Sequence, residues 1–323
     1  MRKSLAKTLV LVVALSLFSI VACARRGGPL DTINVTFVMS PLNVPSIVER
    51  ELGIFAQAFD EFGIGVAYST LTAGPDQTAA LASGDIQFLF AVGGTSVIQA
   101  AAGGLDIRII SIFSRAPEAF MLFSNDHGIS SPHDLAGRTI AGPMGTILHQ
   151  LLVAFLESGG LTTNDVNFVS MGIPEAQAAL AAGAVDAALM AGPAAFNTQQ
   201  GGAHVVTNGV GLVEATIVVA TSQAFYNANR PLVERFLQAQ NDTLAFIAAN
   251  HARSMEMTAA ATGLALEAVE LMFPMYDFRS QIFPSDIQSL EETMQFMIDN
   301  GMIDNAIDIR GLILNLSNVV TQP

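Results

Sequence analysis

The sequence predicts an α/β chain folded as two lobes, each a parallel or mixed sheet flanked by helices, with two extended hinge crossings between them. Three observations carry this. Half of the 323 residues are apolar (51%), yet aromatics make up only 7% and Trp is absent, so the core is mostly Ala, Leu, Val and Ile. Such a core suits helices packed on strands, and the length accommodates two lobes of ordinary domain size. Short apolar runs alternate with helical stretches from residue 33 onward, and the alternation starts afresh near residue 138. Two extended apolar runs, EAFMLFS at 118–124 and ATIVVATS at 215–222, bracket the second series.

In the first series, 33–39 reads as a strand and 45–62 as one helix, with Ile47, Val48, Leu52, Phe55, Phe59 and Phe62 on one stripe. After these come a strand at 64–70, a helix around 78–82 ended by Gly84, a strand at 86–90, a helix at 95–102 stopped by Gly103-Gly104 and a strand at 107–113. The second series has strands at 138–141, 166–169, 185–190 and 204–207, with helices at 146–158, 175–182 and 193–199. This spacing argues for parallel strands with right-handed crossovers. Beyond 222 the pattern is helical, at 231–249, 251–262, 266–272, 284–299 and 306–318. The first lobe therefore comprises 33–117 and 223–323, the second 125–214, and the crossings are 118–124 and 215–222.

The N-terminus is an address. Residues 1–7 are basic and 8–22 are uninterrupted apolar or small residues, the n- and h-regions of a secretory signal. Ile20-Val21-Ala22-Cys23 resembles a bacterial lipobox, with Ile20 where Leu is usual. That resemblance implies a lipoprotein signal peptide over 1–22, diacylation of Cys23, and a tether over 23–32. The protein is then extracytoplasmic and lipid-anchored to the bacterial cell membrane. An ordinary signal peptide with an incidental cysteine is the alternative.

Without residues 1–22 the chain has 11 basic and 28 acidic residues, a net charge of −17, and no Lys. Nucleic acid is excluded as a partner, because nothing matches a phosphate backbone. The single cysteine excludes an intrachain disulfide or a Cys-rich metal site, and no His pair has HExxH spacing. No cofactor, metal or catalytic group is expected. The Met-bearing stretches at 255–302 have helical periodicity and read as core.

Ligands in open α/β sheets sit outside the carboxyl ends of the strands. That rule selects Ser40, Pro41, Leu42 and Asn43 after the first strand, and Gly93, Gly94, Thr95 and Ser96 after the third. In the second lobe it selects Gly142, Gly145 and Thr146, and then Gly192. Glycines admit a ligand close to the backbone, and the free N–H groups at two helix N-termini could clamp one anion between the lobes. Arg115 either meets an anionic group as a fork or forms a hinge salt bridge to Glu118 or Glu214. Glu214 either receives an amine or is a solvated loop acid. His149, one turn into its helix, is a lone histidine and reads first as packed. Phe55, Phe120 and Phe196 read as core first and as platforms for a heterocycle second.

Several motifs occur in order along the chain: LGIF (52–55), LASGDIQF (81–88), GGTSVIQAAAGGLDIRII (93–110), SPHDLAGRTIAGPMGT (131–146), AQAALAAGAVDAALMAGP (176–193) and ATSQAFYNANRPLVERFL (220–237). Behind a lipobox, this ordered set resembles the solute-binding proteins of ABC importers, in the nitrate, sulfonate and taurine branch that also holds pyrimidine-precursor binders. The resemblance spans about 33–300. It implies a periplasmic-binding-protein-like fold of type II strand order that closes on a small solute as a monomer. It also implies delivery of that solute to a membrane permease driven by a cytoplasmic ATPase. A sulfonate, taurine or nitrate is the first expectation for the ligand, and a heterocycle such as a pyrimidine or thiamine precursor or riboflavin the second. A solute sensor without a transporter is the reading of a different class, and an enzyme on the same fold is disfavoured by the missing cysteines.

Overall fold

A computed structural model describes residues 30–39 and 42–314. The expected signal peptide, Cys23, most of the tether, Ser40, Pro41 and the tail from 315 lie outside the described residues.

The first series runs β1 (Thr32–Thr36), α1 (Val44–Leu52), α2 (Ile54–Asp60), β2 (Gly65–Ser69), α3 (Gly74–Ser83), β3 (Leu89–Gly93), α4 (Gly94–Ala102) and β4 (Ile107–Arg115). The second runs β5 (Phe120–Ser124), β6 (Thr139–Gly142), α5 (Ile147–Ser158), β7 (Asn167–Ser170), α6 (Ile173–Ala181), β8 (Ala187–Ala191), α7 (Gly192–Gln200) and β9 (His204–Asn208). The chain then makes β10 (Thr216–Ser222), α8 (Gln223–Ala228), α9 (Arg230–Ala249), α10 (His251–Thr262), α11 (Leu266–Met272), α12 (Pro284–Asp299) and α13 (Ile309–Leu312).

Both sheets follow one plan. In the second lobe the order is β7-β6-β8-β5-β9. In the first lobe β10 lies between β3 and β4, and a parallel bridge from Val35 to Phe88 sets the β1-β2 pair beside β3. The strand that arrives from the other lobe, β10 or β5, enters antiparallel between the third and fourth strands of its host. Strands β6, β7 and β8 are parallel, as their helical connections require.

The runs 118–124 and 215–222 thus serve mostly as interior strands. Their side chains are nearly all buried, and an apolar run buried on both faces belongs inside a sheet. The passage between lobes is shorter. It consists of the turn at Pro117–Ala119 and the segment 209–215, and the Gly209 N–H donates to the Pro117 carbonyl at 2.9 Å.

Two helices differ from expectation. The helix expected over 45–62 is two helices, because Gly53 adopts φ 66° and caps α1 at its C-terminus. Of the helix expected over 306–318, the described residues form only the short α13, and 315–318 lie outside the described residues. After it Ile313 bridges to Ile109, and the Leu314 N–H donates to the Ile109 carbonyl at 3.0 Å, so the chain leaves the helix to cover the free edge of β4.

The first core joins α4, β3, β4 and β10 to Leu290 and Met297 of α12. Phe55, Phe88, Phe90 and Phe236 pack around the stacked Phe88–Phe236 pair, whose ring centroids are 4.0 Å apart. The second core joins β5, β6 and β8 to α6, and Met275 packs against it from the segment after α11.

Candidate ligand-binding site

Strand β3 carries a bulge at its carboxyl end. Val92 pairs with Val218 and Phe90 with Val219, so Ala91 is left over, at φ 80°. A bulge bends its strand and re-aims the segment beyond it. That segment is Gly93, the N-cap of α4, then Gly94, Thr95 and Ser96. A β-carbon on Gly93 would lie 4.0 Å from Cδ1 of Ile147, the first residue of α5. The N-termini of α4 and α5, one from each lobe, therefore meet.

Neither Thr95 nor Ser96 has a hydrogen-bond partner for its hydroxyl among the described residues, and both sit in the first turn of α4, where backbone N–H groups also lack helical acceptors. A β-carbon on Gly74, the first residue of α3, would collide with Ser96 Oγ, so α3 also begins here. Opposite, Gly145 has φ 73°, with open space where a β-carbon would stand. Its N–H reaches Nδ1 of His149 at 3.4 Å, and Thr146 is the N-cap residue of α5, its hydroxyl donating back to the Pro143 carbonyl at 2.8 Å instead of accepting from the helix.

The wall joining these parts is α12. Gln150 of α5 donates to Thr293 Oγ1 at 3.2 Å, and the His149 ring stands edge-on to Phe296 at 6.1 Å while lying on Phe168 at 5.0 Å. His149 is buried, and burial holds its imidazole below the usual histidine range. The arrangement offers neutral donors, namely helix N-terminal amides and two hydroxyls, backed by two helix dipoles. It suits holding an anionic head by hydrogen bonds.

The remaining selected residues have other surroundings. A side chain on Gly94 would strike Leu290 and on Gly142 would strike Leu189, so both glycines permit close packing. Leu42 is fully buried, and Asn43 is buried with its amide donating to the Val38 carbonyl at 2.8 Å. Gly192 lines a cavity of about 20 Å³ with Ala119, Phe196 and Tyr276. Glu214 is exposed. Phe55 and Phe120 are buried, Phe55 in the aromatic core.

Arg115 is the cation at a strand's carboxyl end, and its guanidinium is taken. Nε and Nη2 donate to the two carboxylate oxygens of Asp286 at 2.5 and 2.6 Å. Nη1 donates to the Arg279 carbonyl at 3.0 Å and Nη2 to the Gln281 carbonyl at 2.7 Å, with Asp277 at 3.5 Å from Nη1. The salt-bridge partners expected from sequence, Glu118 and Glu214, are replaced by Asp286 and Asp277. These acids lie more than 160 residues away in sequence and return along the edge of β4, where the Arg115 N–H donates to the Asp277 carbonyl at 2.9 Å. A separate groove of about 600 Å³ between α9 and residues 273–281 shares none of the residues at the helix N-termini.

Sequence reasoning passed over Gln150 and Thr293, and set His149 aside. No local signal marks the residues of α12, because they reach the site only through long-range packing.

A family described as NMT1/THI5 like matches residues 42–254. A protein of Bacillus subtilis (strain 168) named for aliphatic-sulfonate binding is 26% identical over 321 residues, covering 96% of this chain and 95% of its own. The taurine-binding periplasmic protein of Escherichia coli (strain K12) is 29% identical over 164 residues, about half of each chain. Among solved structures, the alkanesulfonate-binding protein SsuA from Xanthomonas axonopodis pv. citri bound to MOPS superposes with a TM-score of 0.80 at 21% identity, covering 89% of this chain and 99% of its own. The fold also serves catalysis: the desulfurization enzyme DSZB shares it at a TM-score of 0.65 and 20% identity, covering 88% of this chain and 96% of its own.

Proposed function

The chain belongs to the NMT1/THI5 like family, and from that premise we propose that it is the extracytoplasmic solute-binding component of an ABC importer. It captures a small organic anion, a sulfonate first and taurine within that class, between its lobes. It delivers the ligand to a membrane permease, and Cys23 carries the lipid that keeps it at the membrane. The names of the relatives support the ligand class. The observation that carries the reading is the meeting of the α4 and α5 N-termini at Gly93 and Ile147, beside the hydroxyls of Thr95 and Ser96, which have no partner among the described residues.

Binding without catalysis fits the residues. After Cys23 the chain has no cysteine, and His149 is buried between Phe168 and Phe296, with no carboxylate bonded to it among the described residues. Such a site holds a ligand and closes on it, with the closed form favoured by differential affinity.

A thermal-shift series with ethanesulfonate, taurine, nitrate and a pyrimidine tests the reading. A bound sulfonate stabilises by about 2.7 kcal/mol at a hundredfold excess over Kd. A rise in Tm with ethanesulfonate or taurine is the expected result. A response to the pyrimidine alone would replace the ligand class, and membrane retention of a Cys23→Ala protein would refute the anchor.

A further inference from the structure

His149 occupies the third position of α5, one turn inside the Thr146 cap. At that position a Glu or Gln side chain commonly reaches back to the backbone N–H groups that precede the helix. Here the acceptor is imidazole Nδ1, and the donor is the N–H of Gly145, the left-handed glycine of the loop that faces α4. The ring is clamped on both sides, stacked on Phe168 of β7 and edge-on to Phe296 of α12. The neighbouring Gln150 is tied to Thr293 of the same helix. One side chain thus touches the ligand-facing loop of the second lobe and the wall of the first.

We propose that His149 is a positioning residue for the loop Gly142–Thr146, holding the Gly145 amide through neutral Nδ1 and tying that loop to α12 through Phe296. The role of the loop in ligand capture rests on the function proposed above. The hydrogen bond requires an unprotonated Nδ1, which leaves Nε2 carrying the proton. Protonation converts the acceptor into a second donor facing Gly145 N–H, and the loop is released. The rings packed on the imidazole are Phe168 of β7 and Phe296 of α12, and neither is charged. Burial alone keeps the imidazole neutral, so release occurs on acidification below the ordinary histidine value of 6.5.

Asn places its carboxamide oxygen where Nδ1 lies, whereas Ala supplies no acceptor. Amide exchange of the segment 142–148, followed by mass spectrometry on the full chain at pH 7, is expected to quicken about tenfold in His149→Ala and to stay within about threefold of the parent in His149→Asn. Calorimetry with ethanesulfonate and with MOPS is expected to show affinity falling from pH 8 to pH 5 in the parent but flat in His149→Asn. Unchanged exchange in His149→Ala overturns the proposal, as does equal loss in the Asn and Ala variants. If neither sulfonate binds the parent while exchange differs as stated, the ligand reading falls and the positioning role of His149 stands.

Discussion

Gly209 and Pro117 fasten the two chain passages between the lobes to each other. The Gly209 N–H donates to the Pro117 carbonyl at 2.9 Å, and a β-carbon on Gly209 would lie 2.6 Å from that same oxygen. The passages run side by side because one of them has no side chain at the point of contact. Hinge motion in a two-lobe protein is absorbed by such short segments.

Gly209→Ala therefore pushes the passages apart. The expected cost is about 1–3 kcal/mol, the range for forcing a methyl group into a packed contact. Urea unfolding measures it, and an unchanged midpoint would contradict the contact.

The Arg115–Asp286 pair is buried, with Arg115 only 8% and Asp286 2% exposed. Removing one member leaves the other charge without its partner, at about 3–5 kcal/mol. Asp286→Ala is thus expected to lower Tm sharply, and Arg115→Lys to lower it as well, because an ammonium cannot fill a bidentate fork. Replacing both, as Arg115→Met with Asp286→Leu, is expected to recover much of the loss. If Arg115→Ala instead abolishes sulfonate binding in a protein of undiminished stability, the guanidinium contacts the ligand rather than serving the fold.

Glu49 of α1 is fully buried. Its Oε1 accepts from Tyr68 Oη at 2.7 Å and from Phe55 N–H at 2.9 Å, while Oε2 has no partner among the described residues. Burial raises its carboxyl from 4.5 to about 7, against the opposing pull of the Tyr68 and Phe55 bonds and the Arg50 charge. A raised value means that the folded state holds the proton more tightly than the unfolded chain does. The stabilisation is complete below pH 4.5 and is lost as pH rises through about 7. Its full size is about 3 kcal/mol. Unfolding free energy measured from pH 4.5 to 8 is expected to show this decline, and Glu49→Gln to flatten it. Equal slopes in the two proteins would refute the assignment.

Ala91 holds φ 80° at the bulge ahead of Gly93. A left-handed alanine costs about 1–2 kcal/mol, a cost that glycine escapes. Ala91→Gly is expected to raise stability by about 1 kcal/mol in denaturant unfolding, and Ala91→Val to lower it.

Periodicity and glycine placement made much of the fold legible. The strand–helix series, the stops at Gly84 and Gly183 and the long helices after residue 222 are local features, and local sequence reports them. The glycine-rich turns at 93–94 and 142–145 were legible for the same reason: a helix N-terminus after a strand's carboxyl end is written in adjacent residues. Only the tertiary structure decided what those turns face. It placed β5 and β10 inside the sheets of the opposite lobes, brought α12 against α5, and gave Arg115 to Asp286, 171 residues away. A run such as ATIVVATS is extended and apolar whether it crosses open space or sits mid-sheet. The difference lies in which partners close around it, and those partners are fixed by packing between segments that share no local signal.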